Sequence, residues 1–164
     1  MAGSSSKTPD HAEQTKVTRE TLIAGLNEDL AREYQAIIAY VVYSQVLDGA
    51  EYMNIASELE VHAAQELKHA LAISKQLYYF NATPTVQPKP VNAPTSNKEM
   101  LQADLNNENE TIRNYRLRVI QSDKLGEYAT AELIRSILVD EQDHQMALAT
   151  ALGIDVPEVG ISEP

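Results

Sequence analysis

The sequence contains no cysteine among its 164 residues. Disulfides, thiolate metal ligands and thiol redox chemistry are therefore excluded, and a reducing compartment is compatible with the composition. Residues 1–16 include no apolar run that would act as a signal peptide. No segment approaches the ~20 consecutive apolar residues that a membrane helix requires. We therefore expect a cytoplasmic protein with no membrane partner.

Basic residues are scarce as well. The chain has 13 lysines and arginines against 24 aspartates and glutamates, which gives a net charge of −11. Proteins that bind nucleic acid do so largely through clustered lysine and arginine, so a nucleic-acid partner is not expected. An acidic surface favours cations instead. The length suits one domain with a substantial core.

Most of the chain shows helical periodicity, with apolar residues three and four positions apart. A capping box beginning at Ser96 marks one helix start, and Gly49 and Gly153 mark two helix ends. Four helices are predicted, at about 18–47, 51–79, 97–121 and 127–152. The remaining ends are predicted to be a disordered polar tail (1–17) and a C-terminal tail (153–164).

The segment between the second and third predicted helices is rich in proline, with Pro84, Pro88, Pro90 and Pro94. Proline at this density excludes a helix and favours an extended path of ~3 Å per residue, roughly 50 Å in all. Residues 81–96 can therefore run back along the bundle as a crossover. The sequence predicts an all-α four-helix bundle with up-down-down-up topology.

Each predicted helix has a glutamate within its apolar row, where a carboxylate is costly to bury unless it is paired or binds a cation. In two helices the glutamate begins a Glu-x-x-His sequence, which places carboxylate and imidazole on the same helix face. All of these residues fall near the middle of their helices, so they can meet at one level of the bundle. They are Glu33, Glu66, His69, Glu108, Glu141 and His144.

Charge indicates what such a site would bind. Four carboxylates carry −4, which two divalent cations neutralise. Oxygen-rich donors with one imidazole per ion suit iron or manganese better than a tetrahedral zinc site. We predict two iron ions per chain, with manganese or zinc as substitutes.

Taken singly, each of these residues has a simpler interpretation that involves no metal. One Glu-x-x-His is common by chance, and a helical interaction module with buried ion pairs would also contain glutamates in apolar rows. The coincidence of all the off-pattern residues favours metal. For His62 we favour a position at the edge of the core over a role as auxiliary ligand. Tyr115 is predicted to fill core volume, whereas Tyr40 either packs or hydrogen-bonds a ligand.

Four segments together resemble the bacterioferritins over about residues 20–152: Leu30–Glu33, Glu66–His69, Met100–Glu108 and Ile137–His144. The resemblance implies that the six residues above are ferroxidase ligands, with Glu66 and Glu141 bridging the two metals. It also implies that Asp140 orients a ligand histidine from outside the site. Gln65 occupies the matching position on the second helix.

The chain departs from the bacterioferritins in two ways. Leu67 stands where the family has its haem-ligating methionine, so no haem is expected. The sequence after residue 152 does not resemble the family's fifth helix, which helps to close a 24-subunit shell. A homo-oligomer is expected, with a dimer or a 12-subunit cage favoured over 24 subunits.

The predicted function is a non-haem diiron ferroxidase that oxidises iron(II) with oxygen or hydrogen peroxide in iron storage or detoxification. One alternative is a dodecameric mini-ferritin of the DNA-protecting type, although the usual metal site of those proteins lies between subunits. Another is a diiron or dimanganese oxidoreductase acting on peroxide, similar to rubrerythrins or manganese catalases. A rubrerythrin's cysteine-ligated iron is impossible here.

Overall fold

The computed structural model describes residues 16–161, and these form four long helices with no strand among them. The helices are α1 (Arg19–Val46), α2 (Met53–Tyr79), α3 (Asn97–Leu125) and α4 (Tyr128–Leu152). The predicted all-α bundle is confirmed. The polar tail predicted for residues 1–17 lies almost wholly outside the described residues, as does the end of the C-terminal tail.

Local signals define the helix boundaries. Thr18 caps α1 by accepting a hydrogen bond from the Thr21 backbone N–H, and Ser96 caps α3 by accepting one from the Glu99 N–H. A short 3-10 turn, Ala50–Tyr52, precedes α2 and was not predicted. The predicted end of α3 at residue 121 is wrong, because the helix continues until Gly126 terminates it in the left-handed conformation (φ 73°).

The crossover is extended and lies along α1. The Lys89 backbone N–H donates to the Ala31 carbonyl at 2.9 Å. Nearer the start of α1, the Thr85 N–H donates to Asn27 Oδ1 at 2.8 Å, and nearer its end, Tyr43 donates to the Asn92 carbonyl. The crossover therefore runs in the same direction as α1.

This path sets the topology. Asn97, the first residue of α3, exchanges hydrogen bonds with the backbone of Asp48 just after α1. Helix α3 thus begins at the end of the bundle where α1 finishes and α2 starts. It runs parallel to α2 and antiparallel to α1 and α4, which is the predicted up-down-down-up arrangement.

The core consists of two apolar clusters separated along the bundle axis. One includes Leu22, Leu26, Ile73 and Ile134, and the other includes Leu59, Leu101, Leu105 and Leu148, all buried. The buried charged residues of the four helix middles lie between these clusters. No helix in residues 16–161 is both long and apolar enough to cross a bilayer.

Candidate metal centre

The structure brings the six predicted ligand residues into one buried cluster. Each is at most 4% exposed, and they come from all four helices. Their donor atoms form two overlapping groups, within each of which all donor atoms lie within 4.8 Å of one another. One group comprises Glu33, Glu66, His69 and Glu141, and the other comprises Glu66, Glu108, Glu141 and His144.

These distances suit two neighbouring cations. Metal–oxygen bonds of about 2.0–2.6 Å allow two donors of one ion to lie up to ~5 Å apart, so a single ion can span each group. Glu66 and Glu141 belong to both groups, as residues that bridge two ions must. Glu33 and Glu108 each belong to one group.

The two histidines present the same ring nitrogen to the cluster. His69 Nδ1 lies 3.1 Å from Glu66 Oε2 and 3.2 Å from Glu141 Oε1. His144 Nδ1 lies 3.0 Å from Glu66 Oε1 and 3.4 Å from Glu141 Oε2. Both Nδ1 atoms therefore face the shared carboxylates.

Groups outside the cluster determine the tautomers. His69 Nε2 donates to Asp140 Oδ2 and His144 Nε2 donates to Gln65 Oε1, each at 3.0 Å. Because both partners are acceptors, the Nε2 atoms carry protons, and each Nδ1 can offer its lone pair to a metal once the proton favoured by the carboxylates of the empty cluster has left. The structure thus places Asp140 and Gln65 behind the ring nitrogens that face away from the site.

Two tyrosines orient Glu33 and Glu108, the glutamates that each belong to only one of the two donor groups. Tyr40 donates a hydrogen bond to Glu108 Oε1, and Tyr115 donates one to Glu33 Oε1. Tyr115 packs in the core as predicted, and its buried hydroxyl also contacts a candidate ligand, which the packing prediction did not include. Tyr40, for which both roles were open, also hydrogen-bonds.

The prediction for His62 was wrong. This side chain lies in the interior, with its ring stacked on His144 at a centroid distance of 4.0 Å. It also meets the edge of the Tyr40 ring at 5.4 Å. Burial, followed by the nearby His144 charge, lowers the pKa of His62 to about 3.

The contacts of the six candidate ligands come in pairs related by an approximate two-fold axis through the cluster, whereas those of His62 have no counterpart. Glu33 and Glu108, Glu66 and Glu141, and His69 and His144 are each 75 residues apart. The same interval separates the two tyrosines, and it separates Gln65 from Asp140. A comparison of the sequence with itself at this interval would have identified Tyr115 as the counterpart of Tyr40.

The pKa values of the ligand residues show that their charges are poorly balanced when no cation is bound. Burial, and then the neighbouring carboxylates, raise the pKa of Glu33 and of Glu108 well above its usual range. Burial disfavours charged His144, but contacts with Glu141 and Glu66 outweigh it and raise its pKa to about 9. The pKa of His69 is raised in the same way by Glu141 and Glu33.

Several buried donor atoms also lack a hydrogen-bond partner within the described residues. They are Glu33 Oε2, Glu66 Oε1, Glu108 Oε2, both Glu141 carboxylate oxygens and His144 Nδ1. Buried polar atoms are rarely left unpaired, and all of these belong to residues of the two donor groups. Their chemistry and position fit a pair of divalent metal ions.

Comparison with known proteins agrees with the fold. The ferritin-like domain family matches residues 23–155, most of the chain. The bacterioferritin of Brucella melitensis is 28% identical over 134 residues, covering 81% of this chain and 83% of that protein. A bacterial ferritin of Synechocystis is 26% identical over 145 residues, covering 87% and 92% of the two chains.

A solved structure extends the comparison. A crystal structure described as ferritin-like, diiron-carboxylate proteins from Bacillus anthracis superposes with a TM-score of 0.78 at 32% identity. The match covers 81% of this chain and 96% of that one. The chain belongs to the ferritin-like family of four-helix-bundle proteins. Within that family it is a bacterioferritin-like member, as the sequence resemblance predicted.

Proposed function

We propose that the protein is a non-haem ferroxidase that binds two iron(II) ions per chain and oxidises them with oxygen or hydrogen peroxide. The observation that carries this proposal is the pair of donor groups sharing Glu66 and Glu141. Two shared carboxylates hold two ions close enough to act on one oxidant. The diiron-carboxylate description of the Bacillus anthracis structure supports iron as the metal.

Iron(II) is the substrate, and each ion gives up one electron. Two ions therefore supply the two electrons that, with two protons, reduce one hydrogen peroxide molecule to water or one oxygen molecule to hydrogen peroxide. The protein's residues provide position and environment. Glu66 and Glu141 hold the ions together, the two tyrosines fix the remaining carboxylates, and burial limits access of bulk water.

Leu67 is the reason that the proposed protein contains no haem. It occupies the position of the bacterioferritin methionine, is 53% exposed on the outer side of α2, and offers no donor atom to iron. We therefore propose a ferroxidase without haem, working in iron storage or detoxification.

A homo-oligomer, smaller than 24 subunits, is part of the same proposal. Every candidate ligand comes from one chain, which favours this function over a mini-ferritin site between subunits.

Graded aerobic loading with iron(II), followed by gel filtration, tests the proposed function. We expect oxidation faster than in buffer, and iron that remains with the protein at two or more ions per chain. Retention that levels off at two indicates an enzyme without a store, and retention far above two in a large species indicates a cage. Iron oxidation no faster than in buffer, with no iron retained, would contradict the ferroxidase proposal.

Replacement of Asp140 by asparagine is expected to weaken one of the two ions selectively. Groups that orient ligand histidines typically contribute about 10- to 100-fold to metal affinity, and Asp140 hydrogen-bonds His69, whereas His144 is held by Gln65. Titration with cobalt(II) should show one weakened and one unchanged site. Asp143→Asn, an exposed charge on the same helix, is the matched control. Equal weakening in both variants would point to general surface charge instead.

A further inference from the structure

His62 is a buried polar residue that the proposed site leaves without a role. It lies one helical turn before Glu66 and is 2% exposed, yet its Nδ1 has no hydrogen-bond partner within residues 16–161 and its Nε2 lies 3.6 Å from Glu58. Its packing against His144 and Tyr40 would be served equally well by an apolar ring. An unpaired imidazole in this position indicates a partner that is not part of the protein.

On its outer side His62 lies next to an acidic side chain. His62 Nε2 lies 3.6 Å from Oε1 of Glu58, whose side chain is 54% exposed. Glu58 and Glu51 are the charged residues lining a largely apolar groove between the start of α2 and the end of α4. No lysine or arginine lines this groove within the described part of the chain. His62 thus lies between this acidic side chain and the metal centre.

The spacing of the two donors suits a cation. The 3.6 Å between His62 Nε2 and Glu58 Oε1 falls within the range that separates His144 Nδ1 from its carboxylates, 3.0 Å to Glu66 and 3.8 Å to Glu108. Two donors leave the other coordination positions to water. Such a pair holds a cation weakly and can release it to a site with four donors.

The opposite side of the centre has no imidazole in the position of His62 and no unpaired aspartate in the position of Asp104. Ile137 takes the place of His62 there, 75 residues later. Arg118 lies at 2.7 Å from Asp29, so that side holds a fixed positive charge next to the aspartate. Asp104, the counterpart of Asp29, makes no ion pair within residues 16–161. Acidic and imidazole donors are therefore concentrated on the His62 side.

We propose that Glu58 and His62 form an uptake site that takes divalent cations from the groove and delivers them to the half of the centre containing His144. The proposal rests on the proposed function, because it assumes that the dinuclear centre binds metal. Glu58 attracts the hydrated ion, and His62, buried behind it, replaces part of the ion's water shell. The ion then passes to His144, against which the His62 ring is stacked.

Stopped-flow mixing with cobalt(II) under anaerobic conditions tests this proposal, since cobalt(II) absorption reports binding without any oxidation. His62→Phe keeps an aromatic ring against His144 but removes both nitrogens, and Glu58→Gln removes the exposed charge. Both variants should bind two cobalt(II) ions at equilibrium, as the wild type does, but about tenfold more slowly. For Glu58→Gln this is the lower end of what focused charge adds to an on-rate, and for His62→Phe the cause is the lost imidazole donor. Glu60→Gln, an exposed glutamate on the same helix, should bind at the wild-type rate.

The outcomes separate the two proposals. If the wild type binds no cobalt(II), the dinuclear centre and the uptake site both fail. If the wild type binds two ions and both variants load as fast as the wild type, only the uptake site is overturned. Loss of one bound ion in His62→Phe would also overturn it, since His62 would then be needed by the centre itself.

Discussion

Replacing both Glu66 and Glu141 by alanine is expected to abolish metal binding at both positions. Each of these carboxylates belongs to both donor groups, so neither group keeps more than one carboxylate and one imidazole in the double variant. Glu33→Ala and Glu108→Ala should each weaken one ion only. Equilibrium dialysis against cobalt(II), with the bound metal counted per chain, distinguishes the three variants.

The matched control for the double variant replaces Glu60 and Glu132, which are exposed glutamates on the same two helices. It makes the same change in net charge and should bind metal like the wild type. Removing Glu66 and Glu141 also takes away the buried partners of His69 and His144, so some loss of stability is expected in this variant. Thermal melting in a chelator shows whether the double variant is still folded at the temperature of the binding measurement. A double variant that still binds two ions would refute the shared-ligand arrangement.

Metal is also expected to stabilise the fold by a large amount. A ligand that binds only the folded state contributes ~2.7 kcal/mol at 100 times its dissociation constant, so two ions contribute ~5 kcal/mol. In a protein of this size each kcal/mol raises the melting temperature by ~2–4 °C. Calorimetry with and without cobalt(II) or manganese(II) should therefore show a rise of about 10–20 °C.

The physical cause of this shift is the cost of the empty cluster. Without metal, Glu33 and Glu108 have raised pKa values and several buried oxygens lack partners. The double variant Glu66→Ala/Glu141→Ala should show almost no shift. An equal shift in both proteins would mean that cations act on the acidic surface. No shift in the wild type would favour a helical interaction module with buried ion pairs.

Much of the fold could be predicted because its determinants are local. Apolar periodicity defines the helices, and the four prolines between residues 81 and 96 require an extended connection long enough to return along the bundle. The end of α3 was the main error. Ser122 and Asp123 suggested a turn, but the helix tolerates both until Gly126 supplies the positive φ that ends it.

The members of the candidate centre could be predicted because buried carboxylates interrupt the apolar rows. Their contacts could not, since these depend on which residues of two different helices lie at the same height. Tyr115 meets Glu33 across 82 positions of sequence, and helical periodicity within α3 says nothing about that distance. Whether the six residues bind metal stays a prediction that the experiments above decide.

His62 shows a related limit. Periodicity places it at the edge of the apolar face of α2, because Ala63 competes for the same position in the row. Its burial results from stacking on a histidine of α4, and the sequence of α2 has no information about that neighbour. Whether a residue at the edge of an apolar row is buried is decided by its tertiary contacts.

The approximate two-fold axis has a consequence for how the chain is divided. Helices α1 and α2 form one hairpin and α3 and α4 form another, and each hairpin supplies two glutamates and one histidine. Each half therefore holds an equal share of the donors, and neither half alone offers the four that one ion needs. If the crossover were cut, ions bound by donors from both fragments would favour reassociation of the two fragments. Metal concentration would then control complementation between two pieces of one polypeptide.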